Sequence, residues 1–239
     1  MVPLAFGEKT FVRYLAKFPC NEEDKELGEG NQERTVKKRR RIFTMISSIV
    51  LAAGRAENMG DQKLLLPLRG KPVLQWVLES ALASNLHEIV CVVRNLSAVR
   101  RRISLKDERL YWIINDAADR GQSTSVVGGL WAIDPKSDGA LFLLGEQPMI
   151  QSKLIDALVK RFKDSAPLIV APNFRGQTRD PVLFRRDLFP KLLQLTGDHD
   201  GRELIEKYRK KTALVERNDE VSFKDIDVRG DYERINVVD

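Results

Sequence analysis

Histidine and cysteine are scarce in these 239 residues: two of each, Cys20 and Cys91, His87 and His199. Two cysteines make no disulfide framework, and with only two histidines no Cys/His zinc site assembles. The chain therefore reads as a protein of the reducing cytoplasm, and any metal it uses as a hard ion held by carboxylates. Long apolar runs are missing too. The stretches over 46–53 and 140–144 fall far short of the roughly 18 residues that a membrane span requires, so no membrane partner is expected. Aromatic residues make up only 7% of the chain, yet 43% is hydrophobic, which is ordinary for a globular protein and too apolar for a disordered one.

Positive charge is present but unevenly placed. The formal net charge is +6, and residues 1–44 hold ten Lys/Arg against seven Asp/Glu, half of that excess. The run Lys37-Lys38-Arg39-Arg40-Arg41 has two readings, a nucleic-acid patch or a solvated segment. The second is preferred because charge runs are usually solvated, and no nucleic-acid partner is expected. Glu22, Glu23, Asp24 and Glu26 interrupt any secretory h-region, so the segment is no signal peptide. The apolar stretch 11–18 is too small for a core of its own. Met45 stands one residue before the first strand pattern. Residues 1–44 are accordingly expected to be a charged, flexible extension from an upstream start codon, and residues 45–239 a single domain.

From Met45 onward, short β-branched apolar runs alternate with amphipathic stretches, the pattern of a parallel sheet covered by helices. Strands are expected over 47–52, 88–93, 111–114, 140–144, 168–171 and 213–216, and helices over 72–84, 123–133, 153–162, 188–195 and 202–209. Pro72 suits the first helical position, where a missing N–H costs nothing. The connection 172–186, carrying Gly176 and Pro181, is expected to leave the layered core and cover one end of the sheet.

Three segments carry chemistry. Directly after the first strand comes Leu51-Ala52-Ala53-Gly54-Arg55, followed by Gly60 and Lys63. Small residues and glycines there let backbone N–H groups close on an anion, and Lys63 supplies a point charge. The spacing fits neither a Walker A loop nor a G-x-G-x-x-G fingerprint. The apolar run 140–144 ends in Gly145-Glu146-Gln147-Pro148. Ligands of open α/β sheets bind at the carboxyl ends of strands, which puts Glu146 in the crevice beside the first loop. In Asp225-Ile226-Asp227, an extended backbone points both carboxylates to one side. One carboxylate from each of these places is what Mg²⁺ on a substrate phosphate needs.

The order Leu-Ala-Ala-Gly, Met-Gly and Lys, then Gly-Gln-Ser-Thr-Ser-Val-Val-Gly-Gly-Leu from Gly121, Gly-Glu-Gln-Pro, Pro-Val-Leu-Phe from Pro181, Thr-Gly-Asp from Thr196 and Asp-Ile-Asp strongly resembles the molybdopterin cytidylyltransferases. The resemblance implies a Rossmann-like three-layer α/β sandwich with a mostly parallel sheet, the nucleotidyltransferase (nucleotide-diphospho-sugar transferase-like) fold. It implies transfer of CMP from CTP-Mg²⁺ to molybdenum-bound molybdopterin with release of pyrophosphate, Mn²⁺ being an alternative ion, and delivery of the product to an apo molybdenum hydroxylase. Its site residues would be Lys63, Glu146 and Asp227 for catalysis, with Glu146 and Asp227 on the metal. Leu51, Ala52, Ala53, Gly54, Arg55, Lys63, Gln122, Ser123 and Ser125 would bind nucleotide, and Arg179, Asp180 and Pro181 the acceptor. Gln122, Ser123 and Ser125 also suit plain helix capping. Related guanylyltransferases read Leu-Ala-Gly-Gly in the first loop, so Ala53 implies a pyrimidine.

The chain departs from the family pattern at Asn58, where an arginine is common, at Glu146, where aspartate is usual, and at Arg179-Asp180, where Gly-Asn or Gly-His is typical. Two rival readings follow. One is transfer to another phosphorylated acceptor; the other is a catalytically weakened nucleotide- or pterin-binding chaperone for a molybdenum hydroxylase.

Overall fold

The computed structural model describes residues 45–54, 63–226 and 229–237. The 1–44 extension and the positions Arg55, Asn58 and Asp227 lie outside the described residues.

The strands are β1 (Ile46–Ala52), β2 (Pro67–Leu68), β3 (Lys71–Pro72), β4 (Glu88–Val93), β5 (Leu110–Ile114), β6 (Gly139–Leu144), β7 (Ile169–Phe174), β8 (Gln177–Thr178), β9 (Val182–Arg185) and β10 (Thr212–Arg217). The helices are α1 (Val73–Leu82), α2 (Leu96–Arg102), α3 (Ser123–Ala132), α4 (Ser152–Ser165), α5 (Phe189–Leu192), α6 (Arg202–Lys207) and α7 (Arg229–Val237). One sheet runs β10-β7-β9-β6-β1-β4-β5, with β8 paired to β7, while β2 and β3 form a separate small hairpin. β1 pairs in parallel with β4 and β6, β4 with β5, and β7 with β10.

Period-two alternation decides which core each side chain enters. Ile46 and Val50 of β1, with Ile89, Cys91 and Val93 of β4, face α1, α2 and α4. Ile49, Val90 and Val92 face the other way, onto α3, α5 and α6. Central strands buried on both faces need apolar side chains throughout, which is why Glu88-Ile-Val-Cys-Val-Val reads as an almost continuous apolar run. Its one charged residue is accommodated because Ser47 Oγ donates to Glu88 Oε1 at 2.6 Å. On α4, Leu154, Ile155, Leu158, Val159 and Phe162 are buried at helical spacing, and this stripe seals one side of the sheet.

The segment 172–186 does not leave the core as its glycine and proline suggest. β9 enters the middle of the sheet, antiparallel to both β6 and β7. Val182, Leu183 and Phe184 are buried there, so burying these three outweighs the turn signals around them. Two smaller differences concern helices. Pro72 occupies the N-cap position of α1 with φ −55° rather than the first helical position. The helix expected over 188–195 shrinks to Phe189–Leu192 behind a 3₁₀ turn at Arg186–Leu188.

A third cluster, Leu68, Val73, Ile226 and Ile235 with Trp76, Met149 and Tyr232 packed against it, seats α7 on the β2–β3 hairpin. It also fastens the residues just before Asp227 to the body of the protein.

Candidate nucleotide-transfer site

At the carboxyl ends of β1, β4, β5 and β6 a cleft of about 1120 Å³ opens, lined by Leu51, Ala52, Ala53 and Gly54, by Lys63, by Arg94 and Asn95, by Gln122 and Ser125, and by Glu146 and Asp198 among others. Two glycines fix its walls. A Cβ on Gly145 would stand 3.1 Å from the Leu51 carbonyl oxygen and 3.1 Å from the Ala52 Cβ, and the Gly145 amide donates to that carbonyl at 2.9 Å. Glycine at this point lets the end of β6 lie against the first loop and brings Glu146 beside it. Gly121 has φ +109°, and a Cβ there would lie 2.2 Å from the Gly197 carbonyl, so only glycine lets the Thr196-Gly197-Asp198 loop close on the start of α3.

Lys63 is buried, with 8% of its side chain exposed, and its Nζ stands 2.6 Å from Glu146 Oε2. A buried ammonium needs an anion, and Glu146 supplies it. Arg94 donates from Nη1 to Asp119 at 2.7 Å and from Nη2 to the Ala53 carbonyl at 3.3 Å. Among the described residues, Lys63 and Arg94 are the cations that line the cleft. Ala53 is fully buried in this wall. Ser125 Oγ accepts a bond of 2.9 Å from Asn115 Nδ2, which orients the hydroxyl. Gln122 lines the cleft and makes no side-chain cap. Ser123 is buried, donates its amide to the Gly197 carbonyl at 3.1 Å, and is not among the lining residues.

Beside this cleft lies the 179–181 segment. β9 runs against β6, so its beginning reaches the same pole as the end of β6. The Asp180–Pro181 peptide is cis. Asp180 is paired with Arg202 Nη2 at 2.6 Å and its side chain is only 17% exposed. Burial raises its carboxyl above the ordinary aspartate value against the pull of Arg202, and Asp200 and Glu146 push the same way. Arg179 is exposed and donates from Nη2 to Gln177 Oε1 at 2.8 Å. Pro181 is buried.

The Ile226 amide donates to the Glu146 carbonyl at 3.0 Å, which brings the residue ahead of Asp227 alongside Glu146. The donor chemistry here, carboxylate oxygens beside the end of β1, fits a hard divalent cation and no soft one. Among the described residues no group of three or more His, Cys, Asp and Glu forms a cluster able to hold a metal by itself. Cys91, wholly buried, has its thiol pushed up by desolvation and is inert.

The expected residues Leu51, Ala52, Ala53, Gly54, Lys63, Gln122, Ser125 and Glu146 come together on one cleft, whereas Ser123, Arg179, Asp180 and Pro181 are not among its lining residues. Arg55 and Asp227 lie outside the described residues. Sequence reasoning missed Arg94, Asp119 and Arg202. Arg94 carried a signal, for it directly follows β4 and the carboxyl ends of strands are where ligands gather. Arg202 carried none, since it looks like any solvated residue at a helix start. No helix among the described residues is long and apolar enough to cross a membrane.

The sequence profile described as the MobA-like NTP transferase domain matches residues 48–212. Purine catabolism protein PucB of Bacillus subtilis is 29% identical over 195 residues, which cover 78% of this chain and 94% of PucB. A probable molybdenum cofactor guanylyltransferase of Thermococcus sibiricus is 24% identical over 135 residues, 56% of this chain and 65% of the archaeal protein. Among solved structures, Rv0371c of Mycobacterium tuberculosis superposes with a TM-score of 0.71 at 25% identity, over 81% of this chain and 98% of Rv0371c. The same protein in complex with manganese gives a TM-score of 0.67, again at 25% identity over 81% and 98% of the two chains.

Proposed function

This chain belongs to the MobA-like NTP transferase family, and we propose that within it the protein transfers CMP from CTP to the terminal phosphate of molybdenum-bound molybdopterin. Pyrophosphate leaves and molybdopterin cytosine dinucleotide forms. One observation carries the reading: Ala53, buried in the wall of a cleft, stands where the guanylyltransferase pattern has glycine, and that cleft ends at the Lys63–Glu146 pair. The Cβ of Ala53 packs into the core cluster beneath the cleft, and by setting how the loop above it sits it would select against a purine. The manganese complex of Rv0371c and the molybdenum cofactor relative in Thermococcus support divalent-metal use and a pterin-linked acceptor.

In the proposed reaction an oxygen of the acceptor phosphate attacks the α-phosphorus of CTP in line. The bond from that phosphorus to the bridging oxygen breaks, and the electron pair leaves with pyrophosphate. The protein contributes position and charge rather than covalent chemistry. Amides of the first loop around Gly54 hold the triphosphate, Lys63 and Arg94 neutralise it, and Gln122 and Ser125 face the nucleoside. Glu146 and Asp227 would hold Mg²⁺, or Mn²⁺, which when bound offsets charge on the transferring phosphoryl group. Asp180 and its neighbours face the acceptor. An apo molybdenum hydroxylase is the expected recipient of the product, in the cytoplasm.

The test is incubation of the purified full chain with α-labelled CTP, Mg²⁺ and molybdenum-bound molybdopterin. Labelled dinucleotide cofactor and free pyrophosphate in equal amounts are expected. Label on a different phosphorylated acceptor would change the substrate, and CTP binding without transfer would make the protein a carrier.

A further inference from the structure

The loop between α5 and α6 touches both halves of the site. At its start the Gly197 carbonyl takes the Ser123 amide at 3.1 Å and Asp198 lines the nucleotide cleft. At its end Arg202 places Nη2 2.6 Å from Asp180 and Nε 2.9 Å from Asp200. Asp225 acts electrostatically on the same guanidinium, and Glu146 acts on Asp180. Asp180 and Asp200 thus meet on one guanidinium beside the start of β9, with Asp225 and Glu146 acting on this pair electrostatically. An acceptor bearing a phosphate would be repelled from this place by Asp180, Asp200 and Asp225 unless a cation met it.

Arg202 is built to be that cation. Its side chain is 64% exposed although it holds two carboxylates, and its Nη1 belongs to neither contact. A planar fork of five N–H donors exchanges a carboxylate for a phosphate by turning about its side-chain bonds alone. The Arg202 amide donates to Asp200 Oδ1 at 3.0 Å, so the backbone stays anchored while the head group exchanges partners.

We propose that Arg202 binds the acceptor's phosphate, which replaces Asp180 on Nη2 and gains Nη1. The inference rests on the transferase reading, because that reading makes a phosphate the reacting end of the acceptor. Asp180 is then a placeholder that aims the guanidinium, and the loop 197–202 joins nucleotide wall to acceptor wall in one piece of chain.

The probe is inorganic phosphate, titrated calorimetrically into the full chain in the presence of CTP and Mg²⁺. Arg202→Ala is expected to weaken phosphate binding at least about tenfold, and Arg202→Lys to restore part of the loss. Asp180→Asn is expected to tighten it, since the competing carboxylate is gone. An ion pair that merely braces the loop gives weaker binding in both the Arg202 and the Asp180 variants, and this outcome overturns the proposal. So does equal affinity in the parent and Arg202→Ala, or no binding by the parent below about 50 mM. Melting curves report folding; if Arg202→Ala fails to fold, Arg202→Lys against Asp180→Asn still gives the comparison of opposite sign. Should CMP transfer to molybdopterin fail while phosphate binding stays Arg202-dependent, the molybdopterin reading falls and the anion-binding role stands.

Discussion

Lys63 and Glu146 lie 83 residues apart in sequence and 2.6 Å apart in space. Each carries the charge the other needs, and both stand on the wall of one cleft. Lys63 comes from a 3₁₀ turn, Lys63–Leu65, and Glu146 from the end of the strand next to β1. An ammonium so placed reaches either a carboxylate or a phosphate oxygen, so this pair is the hinge between fold and chemistry.

Glu146→Gln keeps the shape and removes the charge. The expected result is a fall in kcat of about 10²-fold or more at saturating Mg²⁺, since an ion held there acts mainly on the transition state. Steady-state transfer rates measure it, and a near-parental rate would take Glu146 out of the metal site.

Ala53 sets the second expectation. CTP should be preferred over GTP by at least about tenfold in kcat/KM, and Ala53→Gly should narrow that ratio. Competition between the two nucleotides for a limiting acceptor reads it directly; equal use by the parent would remove Ala53 as the selecting residue.

Gly121→Ala tests the contact between the start of α3 and the Thr196–Asp198 loop. The added Cβ meets the Gly197 carbonyl at 2.2 Å on a backbone of φ +109°, so either the loop retreats or the helix start shifts. Destabilisation of about 1–3 kcal/mol and weaker CTP binding are expected together. A lowered melting temperature with unchanged CTP affinity would show that this loop is no part of the nucleotide wall.

Asp180→Asn has a pH signature. The folded-state pKa of Asp180 lies above its ordinary value of 3.8, so the folded chain holds this proton more tightly than the unfolded chain does. Stability contributed by the protonated form is present below pH 3.8 and is lost as pH rises through the folded value. The melting temperature of the parent relative to Asp180→Asn should therefore decline over that window and then level off. A difference that rises with pH would reverse the sign and assign the dominant influence to Arg202.

The parallel strands were legible because each is an apolar run set between turn residues: β1, β4, β5 and β6 start and stop within a residue of where the pattern places them. β9 was not. Val182-Leu183-Phe184-Arg185 is four residues long and follows a proline, and its partners are remote in sequence, so no local period reveals it. α2 escaped because Ser97-Ala-Val-Arg-Arg-Arg offers one buried residue, Val99. In the site, the loop after β1 and the carboxylate after β6 follow from the rule that ligands gather at strand ends. Arg202 was invisible because its meaning lies in Asp180, 22 residues away in sequence and brought near by the reversed strand.

That reversal has a consequence for which positions of the chain are open to change. Because β9 is inserted head to tail between β6 and β7, the residues just ahead of it emerge beside Glu146 while both of its neighbours are already in place. The segment Gln177–Pro181 can then lengthen, shorten or change sequence without disturbing the ladder that carries β1 and β6. The ends of β1 and β6 thus stay fixed, while the exposed positions Gln177, Thr178 and Arg179 are where a change of sequence would alter this pole of the molecule at least cost to the fold.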